Sequence, residues 1–507
     1  MQALLDLSIP ELVERVRSGE VSAERIAQDS LARIDATESL GAFLHVAREA
    51  TLRAARSIDE RRTRGERLGP LAGVPIAIKD ALCTHDAPTT AASRILTRRP
   101  DLPLDAPDVG AWRPPYDATV VERLRAADAL LIGKANMDEF AMGSSTENSA
   151  FLPAKNPWDP TRTPGGSSGG SAVSVASGSV LGSLGSDTGG SIRQPAALCG
   201  VVGVKPSYGR VSRFGLLAFA SSLDQVGPFA RDVRGAARLL EVIAGPDPKD
   251  STCSALPVGA YEKACARGVR GLRIGVPKQY FEAGIEPELA DATRSAIEVL
   301  AKLGAEVRDV DMPHSKYGVS TYYIIAMAEA STNLSRYDGV RFGLRVDGDK
   351  PEIHSMYSRT RGRGFGTEVK RRIMLGTYAL SAGYYDAYYS KAQKVRTLIT
   401  RDFERAFQDV DVLAAPISPF PAFRLGDKVA DPLAMYLADI YTLPASLAGV
   451  AGLSVPIGVT RARSDRPPLP VGLQLMAAAN AEETLFAAAA AYEANRPVLP
   501  RPPEPGR

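Results

Sequence analysis

Cysteine, histidine and tryptophan are scarce in this chain of 507 residues, which contains four, four and two of them respectively. The cysteines are widely spaced and include no CxxC pair; they are Cys83, Cys199, Cys253 and Cys265. This spacing excludes the usual disulfide frameworks and zinc-ligand patterns, and it is typical of a protein from a reducing compartment. We therefore expect a cytoplasmic protein without a metal site.

Long apolar runs and a strong charge of one sign are also lacking. No uncharged apolar stretch reaches about 18 residues, and the chain starts with an acidic amphipathic segment, so neither a membrane span nor a signal peptide is expected. The 61 basic and 58 acidic residues leave a net charge of +3. Because this charge gives no field that attracts nucleic acid to the whole chain, a local patch or a partner subunit must hold any nucleic acid.

Helix-like and strand-like segments alternate along the chain, which predicts an α/β fold. Residues 8–60 have helical periodicity, beginning at the capping-box pair Ser8 and Glu11. Further helices are predicted at 171–181, at 287–304, twice within 366–409, at the segment VVERLRAA and near the end of the chain. Short strands are predicted at 74–79, 129–135, 271–277, 305–313, 411–417, 453–459 and 471–477.

No internal repeat and no clear linker divides the chain. We therefore expect one domain over residues 1–495, with a helical segment at 1–65 and the main core from about residue 66. Residues 98–116 are rich in proline and aspartate, which predicts an excursion on the surface. The proline-rich residues 496–507 predict a tail without regular structure.

Two clusters of glycine and serine are the most informative feature: GGSSGGS at 165–171 and GSDTGGSIR at 185–193. In the second cluster, two glycines allow four successive backbone N–H groups to converge on one point, as in an oxyanion hole; these are Thr188, Gly189, Gly190 and Ser191. A flexible linker is the first alternative, but linkers do not continue into IRQPAALCGVVGVKP. A phosphate loop is the second, but the lysine of GxxxxGK[ST] is missing.

A serine nucleophile needs a base, and none of the four histidines lies within either cluster. Lys79 ends the apolar run VPIAIK, where burial would lower its pKa and leave it neutral. Taken alone, Lys79 is more typical of an exposed lysine at a strand end. Together with the clusters it completes a set for amide hydrolysis, in which Ser191 attacks, Ser167 relays the proton and Lys79 accepts it.

The segments GVPIAIKD, PGGSSGGS and GSDTGGSIRQPA, in this order and spacing, resemble the amidase signature family. The resemblance implies a large mixed central β-sheet covered by helices on both faces. It also implies a Ser–cis-Ser–Lys triad, with Ser191 as the nucleophile, Ser167 as the bridging serine on a cis peptide bond, and Lys79 as the base.

Four further segments resemble one branch of this family, the glutaminase subunits of tRNA-dependent amidotransferases; they span 138–151, 205–228, 329–343 and 364–389. The resemblance covers about residues 8–495 and implies that the substrate is L-glutamine. Arg372 would bind its α-carboxylate, Asp439 its α-ammonium, and Tyr322 would help to close the site. The alternatives are that Arg372 and Asp439 lie on solvated helix faces and that Tyr322 is an ordinary core aromatic.

The same resemblance implies a heterotrimer with subunits B and C, in which the released ammonia amidates Glu-tRNA(Gln), or also Asp-tRNA(Asn). ATP and Mg²⁺ are expected in the partner subunit, which would also hold most of the tRNA, so no cofactor is expected in this chain. Two other functions remain open: a stand-alone amidase that acts on simple amides, and a catalytically silent assembly subunit. The sequence departs from the family at residues 97–113, a longer loop than usual, and at Ala87, which replaces a glycine.

Overall fold

The computed structural model describes residues 4–106, 108–282, 284–348 and 352–503. Its strands form one mixed sheet of eleven strands in the order β1-β3-β2-β4-β6-β5-β10-β11-β9-β7-β8. The strands are β1 (Phe43–Val46), β2 (Pro75–Lys79), β3 (Leu130–Ala135), β4 (Gly182–Asp187), β5 (Val202–Lys205), β6 (Gln225–Ala230), β7 (Arg273–Pro277), β8 (Glu306–Val310), β9 (Val412–Pro416), β10 (Ala451–Val459) and β11 (Pro470–Ala477).

Helices fill most of the sequence between the strands. They are α1 (Ile9–Ser18), α2 (Ala23–Ala36), α3 (Arg48–Thr63), α4 (Thr119–Ala126), α5 (Gly169–Ala176), α6 (Arg193–Cys199), α7 (Val233–Ile243), α8 (Tyr261–Ala264), α9 (Pro287–Lys302), α10 (Gly318–Asn333), α11 (Ile353–Gly364), α12 (Thr367–Leu380), α13 (Lys391–Asp409), α14 (Pro432–Tyr436), α15 (Leu443–Ala448) and α16 (Glu482–Asn495). The Ser8–Glu11 capping box at the start of α1 is confirmed.

Helices pack against both faces of the sheet, and β9 illustrates the arrangement. Val412 and Ala414 belong to a hydrophobic cluster with side chains of α9 and α16. Leu413 and Ala415 belong to a second cluster, with side chains of α10 and α13. Because successive side chains of a strand point to opposite faces, the two clusters lie on opposite sides of the sheet. The predicted fold, a large mixed sheet covered by helices on both faces, is confirmed.

The sheet brings two functional segments to one edge. β2 pairs in parallel with both β3 and β4. Lys79 is the last residue of β2 and Asp187 the last residue of β4. Since the carboxyl ends of neighbouring parallel strands lie at the same edge of a sheet, the turn that follows β4 begins beside Lys79.

Several predicted elements differ from the structure. Residues 43–46 form the edge strand β1, antiparallel to β3, within a segment predicted to be helical throughout. The helix predicted at 171–181 ends at Ala176. β4, β5 and β6 were not predicted. β4 consists mainly of glycine and serine, which disfavour strands in isolation, β5 has only four residues, and β6 contains a glycine and a proline. In β4 these small residues serve close packing: a Cβ on Gly182 would lie 2.6 Å from Leu239 Cδ1, and one on Gly185 would lie 2.6 Å from Phe229 Cε2.

The excursion at 98–116 consists of turns and irregular backbone, as predicted; Pro107 lies outside the described residues. Residues 496–503 form neither helix nor strand, and the last four residues of the predicted tail lie outside the described part of the chain. Among the described residues, no helix combines the length and the apolar character needed to cross a bilayer.

Candidate active site

Lys79 is completely buried at the end of β2. Its Nζ donates hydrogen bonds to the hydroxyls of Ser167 and Ser168, both at 2.8 Å, and to the carbonyl of Ser186 at 3.3 Å. Burial lowers the pKa of Lys79 to about 7, although the carboxylates of Asp138, Asp187 and Asp224 favour its charged form. The side chain is therefore poised to gain and lose a proton near neutral pH.

Ser167 lies in the loop before α5 and is also completely buried. The Gly166–Ser167 peptide bond is cis, as the resemblance implied. The carbonyl of Ser167 accepts a hydrogen bond from the Asp138 N–H at 3.1 Å, and the N–H of Gly166 donates to Gln194 Oε1 at 3.0 Å. A Cβ at position 166 would lie 2.1 Å from Asp138 Oδ2, so the surrounding loop leaves no room for a side chain there.

Ser191 lies in the turn between β4 and α6 and is 7% exposed, in contrast to Lys79 and Ser167. The backbone N–H of Ser168 donates to the carbonyl of Ser191 at 3.3 Å, which joins the two glycine-serine clusters. Within the described residues, the Ser191 hydroxyl makes no hydrogen bond, so the structure contains the Lys79–Ser167 contact but no bond between the Ser167 and Ser191 hydroxyls.

The turn at 188–191 leaves backbone donors available. Within the described chain, no acceptor pairs with the N–H groups of Thr188, Gly189, Gly190 or Ser191. The next two N–H groups, of Ile192 and Arg193, donate to Asp187 Oδ2 at 3.1 and 3.4 Å. The four free donors are those that the sequence predicted for an oxyanion hole.

Tyr322 on α10 and Asp439, in the short 3-10 helix Leu437–Asp439, both pack against this turn. A Cβ on Gly189 would lie 2.9 Å from the Tyr322 hydroxyl oxygen, and one on Gly190 would lie 3.0 Å from Asp439 Oδ1. Both residues are buried. The hypothesis that Asp439 lies on a solvated helix face is therefore wrong, and any substituent on either glycine would occupy the site.

Asp439 retains one unused acceptor. The Ser144 hydroxyl donates to its Oδ2, whereas Oδ1 is buried and has no partner within the described residues. Burial raises the pKa of Asp439 to about 7. An unpaired carboxylate oxygen is costly to bury, and a ligand with an N–H group would satisfy it.

Arg372 on α12 is 2% exposed, so the alternative of a solvated basic face is wrong for this residue. Its guanidinium carbon lies 5.3 Å from the ring centroids of both Tyr323 and Tyr436. Nε donates to Glu368 Oε1 at 2.8 Å, and the two terminal nitrogens have no hydrogen-bond acceptor among the described residues. The Tyr323 ring in turn contacts the Tyr322 ring edge-on at 5.0 Å, which connects Arg372 to the turn.

The predicted site residues therefore lie at one turn or, for Arg372, are connected to it through the rings of Tyr323 and Tyr322. Comparison with known proteins assigns the fold that holds them. The family model described as Amidase matches residues 25–486. The chain belongs to the amidase family. It is 56% identical to the A subunit of the glutamyl-tRNA(Gln) amidotransferase of Anaeromyxobacter sp. (strain K), over 99% of each chain.

Two more relatives of this amidase agree. The protein of the same name from Chloroflexus aurantiacus (strain ATCC 29366 / DSM 635 / J-10-fl) is 56% identical over 97% of each chain. The crystal structure of the corresponding glutamyl-tRNA(Gln) amidotransferase A subunit from Thermotoga maritima is 40% identical, covers 99% of each chain and superimposes with a TM-score of 0.77.

Sequence reasoning about the amidase missed a buried ion pair beneath the turn. Arg193 donates from Nε and Nη2 to the two carboxylate oxygens of Asp187, each at 3.0 Å. Nη1 donates to Gln474 Oε1 at 2.7 Å, and Nη2 also donates to Ser446 Oγ at 2.8 Å and to the Gly189 carbonyl at 3.2 Å. Burial alone would raise the pKa of Asp187, but Arg193 holds it below its ordinary range.

A second buried carboxylate, that of Asp224, supports the same turn. The Thr188 hydroxyl donates to Asp224 Oδ1 at 2.7 Å. Asp224 Oδ2 accepts the N–H groups of Phe219 and Ala220 at 2.9 and 3.0 Å. The Phe219 ring lies 5.7 Å from the Arg372 guanidinium carbon. Asp224 therefore connects the turn that carries Ser191 to the segment that contacts Arg372. The only sequence signal for the first support was a pair of charged residues beside the glycine-rich turn, Asp187 and Arg193, and Asp224 has no such signal because it lies 36 residues from Thr188.

Proposed function

We propose that this chain is the glutaminase subunit of a tRNA-dependent amidotransferase. The observation that carries the proposal is a pair of buried groups of opposite charge, Arg372 and Asp439. Within the described part of the chain, two guanidinium nitrogens of Arg372 and one carboxylate oxygen of Asp439 have no hydrogen-bond partner. A free amino acid carries one charge of each sign, and glutamine adds a side-chain amide that Ser191 can attack. The similarity to proteins named as the A subunit of glutamyl-tRNA(Gln) amidotransferase supports the same function.

The reaction begins with proton transfer. Neutral Lys79 accepts the proton of the Ser167 hydroxyl, Ser167 accepts that of Ser191, and Ser191 Oγ forms a bond to the side-chain amide carbon of glutamine. The carbonyl oxygen becomes an oxyanion that faces the N–H groups of residues 188–191. One such donor contributes about 2.7–4 kcal/mol to lowering the barrier.

The tetrahedral intermediate then collapses. The C–N bond breaks as the proton held by Lys79 returns through Ser167 to the leaving nitrogen, which departs as ammonia. The product is a γ-glutamyl ester on Ser191. A water molecule gives up a proton along the same path and attacks the ester carbonyl, and the ester bond breaks to release glutamate and restore the Ser191 hydroxyl.

Specificity for glutamine follows from the two buried charges. The terminal nitrogens of Arg372 suit the two oxygens of an α-carboxylate, and Asp439 suits the α-ammonium. A simple amide would leave the terminal nitrogens of Arg372 and Oδ1 of Asp439 without a hydrogen-bond partner, which is unfavourable. This argues against a stand-alone amidase for simple amides, and the Lys79–Ser167 contact argues against a silent assembly subunit.

The partners follow from the same function. Subunits B and C would complete a cytoplasmic heterotrimer, and the ammonia would convert Glu-tRNA(Gln), or also Asp-tRNA(Asn), to the amide. ATP and Mg²⁺ would be bound by the partner subunit, and the lack of a GxxxxGK[ST] phosphate loop in this sequence supports that assignment. The catalytic unit would be a single domain over residues 1–495.

The test measures ammonia release from L-glutamine and from a simple aliphatic amide. Wild type, Ser191→Ala and Arg372→Gln are compared, alone and with the partner subunits, ATP and misacylated tRNA. The exposed Ser320 and Lys370 supply matched controls, Ser320→Ala and Lys370→Gln. Glutamine turnover that requires Ser191 and Arg372 and rises with the partners supports the proposal. Turnover of the simple amide that is independent of Arg372 and of the partners would establish a stand-alone amidase instead.

A further inference from the structure

A basic cavity of about 520 Å³ lies between the surface excursion, which lines it with Arg98 and residues 110–113, and the segment 339–345. This volume is in the range of ligand sites. Its side chains include four arginines and two aromatic rings: Arg98, Arg113, Arg341, Arg345, Trp112 and Phe342. Within the described chain no carboxylate lines the cavity, and it shares no lining residue with the candidate active site.

The cavity walls are held by backbone hydrogen bonds. The N–H of Arg98 donates to the Val109 carbonyl at 3.0 Å, and the N–H of Trp112 donates to the Leu96 carbonyl at 2.8 Å, which closes the base of the excursion. The N–H of Leu344 donates to the Ile95 carbonyl at 2.8 Å and anchors the opposite wall. The site is therefore built before any ligand arrives, which lowers the entropic cost of binding.

The positive charge of the cavity is largely uncompensated. Arg98 and Arg341 are exposed and have no acidic partner among the described residues. Arg113 donates to the backbone carbonyl of Asp86 at 2.9 Å. Arg345 pairs with Asp347 at 2.9 Å, but both side chains are more than half exposed, so this pair is weak. In a chain with a net charge of only +3, this is a local patch for an anion.

The aromatic rings restrict the kind of anion. Trp112 and Phe342 are half-buried and contact each other edge-on, with centroids 5.6 Å apart and an angle of 86° between the planes. Guanidinium groups bind phosphates in a forked geometry, and exposed ring faces stack with nucleobases. An acidic peptide would use the arginines but would leave the ring faces unused. RNA uses both.

We propose that this cavity binds the phosphate backbone of an RNA strand and stacks a base on its aromatic wall. The inference deepens the proposed function, on which it rests for the identity of the RNA as the tRNA substrate. The partner subunit would hold the reacting end of the tRNA, and this chain would contact another part of it.

Binding of a fluorescently labelled tRNA transcript and of a short single-stranded RNA to the full chain tests the proposal, by anisotropy over a range of salt concentrations. Arg98→Gln/Arg341→Gln should weaken binding about tenfold and should reduce the slope of log K against log salt by about 0.7 for each phosphate that is no longer bound. The control is Arg25→Gln/Arg53→Gln. It removes one arginine from α2 and one from α3, and the side chain of each is 66% exposed. It should bind as wild type does.

Trp112 gives an independent signal. In a Trp158→Phe background it is the one remaining tryptophan, and RNA should quench its fluorescence by stacking.

Three results would overturn the proposal. The two arginine double variants could bind RNA equally well, wild type could fail to bind RNA, or polyglutamate at equal charge concentration could displace the RNA. Glutamine hydrolysis by Arg98→Gln/Arg341→Gln should equal that of wild type. Absence of glutamine hydrolysis by wild type in the presence of the partner subunits, ATP and misacylated tRNA would instead overturn the proposed function.

Discussion

The guanidinium of Arg193 donates to both carboxylate oxygens of Asp187 at 3.0 Å, and neither side chain is exposed to solvent. Removal of one member leaves the other charge buried without its partner, which typically costs about 3–5 kcal/mol. We expect Arg193→Gln to lower the free energy of unfolding by about this amount and to abolish glutamine hydrolysis, as measured by denaturant titration and by ammonia release.

The exposed pair Arg53 and Glu49 provides the control, since Arg53→Gln should cost less than about 1 kcal/mol. The double variant Asp187→Asn/Arg193→Gln should be less destabilised than the sum of the two single variants. Strict additivity would contradict a direct interaction.

The pH dependence should differ between substrates. Burial lowers the pKa of Lys79 to about 7 and raises that of Asp439 to about 7. Each group acts in its deprotonated form, Lys79 as the base and Asp439 as the anion that binds the α-ammonium, so activity should rise with pH through about 7. For glutamine, log(kcat/KM) should approach a slope of about 2 below pH 7; for a simple amide, which does not need Asp439, the slope should be about 1. Equal slopes would contradict the assigned roles.

Asp439→Asn should affect binding more than chemistry. The change removes the negative charge and keeps the shape, and a charge-assisted hydrogen bond contributes about 1.5–3 kcal/mol. We expect a KM for glutamine about 10- to 100-fold higher, with little change in kcat or in turnover of a simple amide. The exposed Asp409, as Asp409→Asn, is the control. A loss of kcat with both substrates would mean that Asp439 acts on the reacting groups instead.

Gly190→Ala should inactivate the enzyme by crowding. The added Cβ would lie 2.3 Å from Thr442 Oγ1 and 3.0 Å from Asp439 Oδ1, so the turn must shift. We expect kcat/KM for glutamine to fall at least about 100-fold, the effect of losing one oxyanion donor. Gly458→Ala, where the space around the Cβ is open, should be neutral. Because Thr442→Ala removes the nearest atom, the double variant Gly190→Ala/Thr442→Ala should recover part of the activity; no recovery would place the defect elsewhere.

The sequence predicted the parts of this protein that depend on neighbouring residues. The turn at 188–191 and the apolar run that ends in Lys79 are local patterns, and the structure brings them together at one sheet edge. Arg193 could not be assigned in this way, because its partners Gln474 and Ser446 lie 281 and 253 residues along the chain. β4 was missed for a related reason: its glycines are explained by contacts with Leu239 and Phe229, which local propensity does not include.

The different exposure of the three triad residues determines where the catalytic proton can go. Lys79 and Ser167 are completely buried, and of the three residues only Ser191 is in contact with solvent. Protons must therefore reach and leave Lys79 one at a time, through the hydroxyls of the two serines. While the ester forms, the substrate covers Ser191, so the proton given to the leaving nitrogen is one that Lys79 and the two serines already held and not one taken from bulk water. Each ammonia released would therefore carry a hydrogen of the enzyme, which the attacking water replaces when the ester is hydrolysed.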